Sequence, residues 1–297
     1  MSNTNENQSV AKTNINWYPG HMAKTKRLIN ENIDKVDIVY EVIDSRMPYS
    51  SKIKDIDNFI KNKQKILIMT KSDLCDKDET KKWIKYYEKK GYNVVLIDLE
   101  HNPNMKQLLN LTKQLMDKIN EKRMSKGMIA RKARVLVVGI PNSGKSTLIN
   151  RLVGKKAVNT GNKPGVTKEL NWIRLNNDVE LLDSPGILWP KLDEENVAYN
   201  LASLTAIKEE ILPIYNVAEY ILTTLYKYYP KILENRYKLT EINEDIIVNL
   251  EHIGKIRGCL VKGGQVDYEK AAYVVINDIK DGNIKNITFD RIDDYEI

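Results

Sequence analysis

Cysteine is almost missing from this chain. Two stand among 297 residues, Cys75 and Cys259, far apart and without CxxC spacing. That excludes a disulfide framework and a thiolate zinc site, and both read as small buried hydrophobes of a cytosolic protein. Histidine is as scarce: three residues without ligand spacing offer no imidazole metal centre. No apolar run approaches the roughly 18 residues needed to cross a bilayer, so the chain reads as cytoplasmic with no membrane partner. The first residues, MSNTNENQSVAKTN, lack an apolar h-region and hold Glu6 but no Arg. They read as a short disordered tail over 1–14, not as a secretory or mitochondrial leader. Internal repeats and low-complexity segments are absent as well.

What is present is ordinary globular material, 42% apolar and 29% charged, long enough for about two domains with cores of their own. The net charge of +7 is unevenly spread. Residues 200–297 hold 12 of the 47 basic and 16 of the 40 acidic residues, giving −4 against +11 for the rest. A positive half is the footprint of a polyanion binder, although surface lysines also serve plain solubility.

The patterning changes once along the chain. Over 36–183 short apolar runs (VDIVYEVID, KILIMT, NVVLID, ARVLVVG) alternate with amphipathic stretches, which predicts a mostly parallel sheet with helices on both faces. ELNWIRLN and DVELLD flank an Asn-Asn turn and predict a hairpin. Beyond about residue 195 only helical spacing remains. The expected division is an α/β nucleotide-binding domain over 15–192 and a helical domain over 193–297.

Gly139-Ile140-Pro141-Asn142-Ser143-Gly144-Lys145-Ser146, followed by Thr147, fits G-x-x-x-x-G-K-[ST] between a strand and a helix. In that setting backbone N–H groups and a helix N-terminus face a phosphate, Lys145 supplies a point charge and Ser146 a hydroxyl for magnesium. Asp183-Ser184-Pro185-Gly186 fits the D-x-x-G that positions magnesium and a γ-phosphate. The polar segment 155–170 between them reads as a mobile switch loop, and Thr167 in its Pro-Gly-Val-Thr can reach the metal. Thr70-Lys71-Ser72-Asp73 fits [N/T]-K-x-D. There Asp73 can accept from guanine N1–H and N2–H₂, Lys71 can lie along the base, and the Thr70 hydroxyl can tether the phosphate loop. This guanine motif precedes the phosphate loop by some seventy positions, so the parts come in circularly permuted order. The segment after the D-x-x-G then runs directly into the helical domain.

WYPGHMAK, DSRMP, TKSD, GIPNSGKS, PGVT, DSPG and the late RGCLVKGGQVDYEKAA, in this order, resemble the circularly permuted GTPases of the ribosome biogenesis GTPase A (YlqF-type) family. The likeness covers about residues 15–290. It implies a circularly permuted P-loop GTPase domain followed by a small all-helical domain. It further implies GTP hydrolysis with Mg²⁺, and a role in late assembly of the large ribosomal subunit through ribosomal RNA and proteins. Apart from that resemblance, a monomer off the ribosome is the expectation, which no residue pattern fixes. Where relatives of the wider class carry a Ser-Ala pair for guanine O6, this chain has Asp98-Leu99-Glu100.

Ras-type enzymes orient water with a Gln after D-x-x-G. Here Ile187 and Leu188 follow Gly186, so another group must complete the site. His21 of the WYPGH turn, a potassium ion held by Asn142, and ribosomal RNA are the alternatives. Basic residues for RNA phosphates cluster at Lys24, Lys26 and Arg27, over 118–134, and at Lys255, Arg257 and Lys262. The competing reading is a guanine-nucleotide or alarmone sensor that does not hydrolyse and docks a partner through its helices.

Overall fold

The computed structural model describes the chain except for residues 1–14, 17–19, 55, 62, 102, 104, 159–169, 189–190, 193, 208–210 and 296–297. The side chains of residues 15, 16, 21, 59, 191 and 192 also lie outside the description.

β1 (Ile15–Asn16) leads into α1 (Gly20–Asn32) and then β2 (Ile38–Asp44), α2 (Ile56–Ile60), β3 (Gln64–Thr70), α3 (Lys77–Lys89) and β4 (Asn93–Leu96). α4 (Met105–Met124), β5 (Ala133–Gly139), α5 (Lys145–Val153), β6 (Asn171–Arg174), β7 (Val179–Asp183) and β8 (Lys191–Leu192) follow. The main sheet has the order β4-β3-β2-β5-β7-β6, and every neighbouring pair is parallel except β6–β7, the predicted hairpin. β2 is buried at every position, as a central strand covered on both faces must be. Its side chains divide by the period of two. Tyr40 and Val42 pack with Leu108 and Leu115 of α4 and Leu148 of α5, whereas Val39 packs with Ile29 of α1 and Ile56 and Ile60 of α2.

Register sets the functional edge. Asp44 pairs with Thr70, Val42 with Gly139, and Val137 with Asp183, so the carboxyl ends of β2, β3, β5 and β7 line up side by side. That is the edge where ligands bind in open α/β sheets. The N-terminal strand β1 pairs with β8, a short antiparallel ladder that the sequence did not announce.

The helical region comprises α6 (Glu195–Ser203), α7 (Ile214–Tyr228), α8 (Pro230–Tyr237), α9 (Ile246–Arg257) and α10 (Tyr268–Lys280). Asp245 and Asp267 cap α9 and α10 by accepting backbone N–H groups. Its core includes Met47, which comes from the loop after β2. The chain end also leaves the helices and lies on the sheet region. Ile287 N–H donates to the Leu74 carbonyl at 3.2 Å and Phe289 N–H to the Arg46 carbonyl at 2.8 Å. Buried Asp290 accepts from the Tyr49 and Ser50 amides, the Ser50 hydroxyl and the Asn200 amide nitrogen. The chain end therefore fastens to the loops after β2 and β3, and to α3 through the Trp83 indole N–H, which donates to the Asp290 carbonyl at 2.8 Å.

Candidate functional site

Three loops meet at the carboxyl edge. The first leaves β5. Asn142 and Gly144 take φ of +61° and +93°, which turns the backbone inward before α5 begins at Lys145. Space is as tight as the conformation: a Cβ on Gly139 would lie 2.3 Å from the Val42 carbonyl oxygen. Lys145 Nζ donates to the Ile140 carbonyl at 2.6 Å, and burial draws its ammonium down to about 8. Ser146 and Thr147 follow on the first turn of α5 and line the cleft with Gly144 and Lys145.

The second loop follows β7. Asp183 is fully buried, and burial, opposed by Lys145, pushes its carboxyl up to about 6. Neither of its oxygens makes a full hydrogen bond among the described residues, the adjoining Ser184 amide giving only a weak pull. A buried carboxylate left this way fits a hard cation, with Ser146 as a further oxygen donor. Gly186 stands against the phosphate loop: a Cβ there would lie 2.7 Å from Pro141 N. Ile187 and Leu188 are buried in two different apolar clusters. The position of the Ras-type Gln is thus part of the core. Thr167 lies outside the described residues.

The third loop follows β3. The Thr70 hydroxyl donates to the Ser143 carbonyl at 2.7 Å and contacts the Ile43 carbonyl at 3.0 Å. Lys71 Nζ donates to the Asn142 carbonyl at 3.0 Å and pairs with Asp44 at 3.0 Å. Asp44 also holds Arg46, fully buried, through two side-chain contacts at 2.9 and 3.0 Å. Burial raises the Asp44 carboxyl, but Arg46 and Lys71 outweigh it and hold it well below the usual carboxylate range. DSRMP is thus the anchor of the third loop, a role no spacing rule revealed. Asp73 lines the same cleft of about 540 Å³ as Lys145, Ser146 and Thr147.

The loop after β4 closes the cleft. Asp98 Oδ1 accepts the Glu100 and His101 amides at 2.8 and 3.0 Å, which bends the backbone toward Asp73. His101 Nδ1 lies 3.8 Å from Asp73. No motif marks Asp98 or His101 as contributors.

His21, expected in a WYPGH turn, sits in the first turn of α1, so its backbone is helical. Its neighbour Met22 is buried with Ile140 and Leu188, so this turn adjoins both phosphate-side loops. The carboxamide nitrogen of Asn142 donates to the Thr205 carbonyl at 2.7 Å and hydroxyl at 3.0 Å. Lys24, Lys26 and Arg27 are exposed on α1, and Lys255 and Arg257 on the last turns of α9. The structure brings together Thr70, Lys71, Asp73, Asn142 to Thr147, Asp183 and Gly186, whereas the basic groups of α1 and α9 do not line this cleft.

This combination defines a circularly permuted P-loop GTPase. A family model described as 50S ribosome-binding GTPase matches residues 134–251. Ribosome biogenesis GTPase A of Priestia megaterium is 46% identical over 277 residues, 93% of this chain and 96% of that protein. Its namesake from Thermotoga maritima is 32% identical over 280 residues, covering 94% and 95%. The solved structure of GNP-bound YlqF from T. maritima covers 90% of this chain and 98% of its own, at 28% identity and a TM-score of 0.61. The chain belongs to the ribosome biogenesis GTPase A (YlqF-type) family.

Proposed function

We propose that this GTPase binds the large ribosomal subunit through ribosomal RNA and proteins, promotes its late assembly, and leaves when GTP is hydrolysed to GDP and phosphate. The names of the relatives and of the family model support the ribosomal role. The observation that carries the hydrolytic half is the convergence of Asp73, Lys145 and orphaned Asp183 on one sheet edge.

In this reading Asp73 accepts guanine N1–H and N2–H₂, a donor pair adenine lacks, and Lys71 braces that loop against the phosphate loop. The backbone from Asn142 to Thr147 binds the phosphates, and Lys145 neutralises the terminal ones. Ser146, Thr167 and Asp183 would hold Mg²⁺, which supplies charge neutralisation on the β- and γ-phosphates when bound. Gly186 places its backbone beside the phosphate loop, where a γ-phosphate would meet it. Because Ile187 is buried, water must be oriented from elsewhere. His21, a K⁺ ion at Asn142 or ribosomal RNA can complete the site. The Thr205 contacts support the Asn142 alternative by fixing its carboxamide. The adjoining Met22–Ile140–Leu188 packing supports His21 equally.

Docking on RNA falls to Lys24, Lys26 and Arg27 on one side and Lys255 and Arg257 on the other. Among the described residues no helix is long and apolar enough to cross a membrane; we infer a cytoplasmic protein that is monomeric off the ribosome. Co-sedimentation tests the partner. The chain with a non-hydrolysable GTP analogue should pellet with large subunits and not small ones, and GDP should reduce the pelleted fraction. Equal pelleting with both subunits in both states would overturn the proposal.

A further inference from the structure

The nucleotide cleft is not built by the sheet loops alone. Lys280, Asp281, Gly282 and Lys285, at and beyond the end of α10, line it together with Lys71, Asp73 and Lys145. We infer that the helical region completes the nucleotide site, Lys280 and Lys285 binding the ribose–phosphate portion of GTP and GDP. This rests on the guanine-nucleotide reading of the cleft.

Three contacts hold this segment in place. The Arg46 guanidinium, already fixed by Asp44, donates to the Ile279 carbonyl at the end of α10. Gly282, at φ +72°, lies so close to Leu74 that a Cβ would come 2.9 Å from its Cδ2. Ile287 N–H donates to the Leu74 carbonyl. Leu74 directly follows Asp73, so the two lysines ride on a turn fastened to the guanine end of the cleft.

Charge gives the second strand of the argument. Lys71 already shares the Asp44 carboxylate with Arg46, and Glu100 is drawn to Arg151 at 3.6 Å. None of the ion pairs among the described residues involves Lys280 or Lys285. Two ammonium groups in no ion pair among the described residues, lining a cleft that takes a polyanion, gain most from the bound nucleotide. Because their turn is fastened to Leu74, at the guanine end of the cleft, they would meet the ribose and its first phosphates before the γ-phosphate. GDP and GTP should therefore feel them equally.

The test is equilibrium binding of GDP, GTP and guanosine to Lys280→Gln/Lys285→Gln and to the charge-keeping Lys280→Arg/Lys285→Arg. The Gln pair should weaken GDP and GTP alike by about tenfold and flatten the salt dependence, with a much smaller loss for guanosine, which lacks the phosphates. The Arg pair should restore affinity. Melting without nucleotide, unchanged from the parent, shows that the Gln pair is folded. Unaltered GDP and GTP affinity in that folded variant would overturn the inference while leaving the guanine reading intact. Asp73→Asn, measured in parallel, tests that reading. If it kept its preference for GTP over XTP, the guanine reading would fail and the assignment of both lysines with it.

Discussion

The Thr70 hydroxyl donates to the Ser143 carbonyl across a gap of 2.7 Å, tying the loop after β3 to the loop after β5. Both partners are buried, and the same hydroxyl contacts the Ile43 carbonyl. Thr70→Val keeps the shape and strands the carbonyls, which costs about 1–3 kcal/mol of stability. The loosened loops should weaken GTP binding about tenfold, and Thr70→Ser should recover most of it. A Val variant that binds GTP as tightly as its parent in titration calorimetry would show that the tether is dispensable.

Asp73 sets base choice on the proposed reading. Asp73→Asn replaces two acceptors with one acceptor and a donor, which suits xanthine, whose C2 carries a carbonyl. Turnover assays with GTP and XTP should show the preference inverted, by about 100-fold or more in the ratio.

The Asp44–Arg46–Lys71 cluster should dominate the acid limb of stability. Asp44→Asn leaves buried Arg46 and Lys71 without a counter-charge, at a cost of about 3–5 kcal/mol. The folded carboxyl lies well below its ordinary value of about 4. Its contribution is therefore complete above pH 4 and fades as pH falls from there toward the folded value. In denaturation series the gap between parent and variant should stay constant from pH 7 to 5 and narrow below pH 4. A gap that persists undiminished at pH 2 to 3 would contradict the assignment.

Asp183 should behave in the opposite sense to a structural carboxylate. Its oxygens are buried without full partners, and burial pushes the group up to about 6. Without metal or nucleotide, Asp183→Asn should stabilise the chain by about 1–3 kcal/mol, because an unpaired charge is removed. The same variant should lose the thermal stabilisation that Mg²⁺ and GTP together give the parent. A destabilised apo variant would point instead to a structural partner for Asp183.

Much of this site was legible because its chemistry depends on local spacing. G-x-x-x-x-G-K-S and T-K-x-D each sit where a strand ends, and near-continuous Val and Ile runs mark strands covered on both faces. The sheet register then had little freedom in placing Thr70, Gly139 and Asp183 along one edge. What stayed hidden depends on tertiary contact. Nothing in NITFDRIDDYEI has a period, yet Asp290 and Phe289 fasten the chain end to α3 and the loop after β2. Lys280 and Lys285 look like ordinary surface lysines until Gly282 meets Leu74. Asp98 was visible only as a departure from Ser-Ala, and its use as an acceptor for two amides follows from a bend that no motif encodes.

GTP turnover with and without purified large ribosomal subunits, in potassium and then in sodium, tests the proposed activity most directly. The buried Ile187 leaves the free chain without a water-orienting side chain at that position, so intrinsic turnover should be slow and the subunit should raise it by at least tenfold. A further loss in sodium would assign the completing group to a cation at Asn142, and a rate indifferent to the cation would leave His21 or RNA. Turnover that stays unchanged when subunits are added, with GTP still bound, would contradict an RNA-activated GTPase of ribosome assembly.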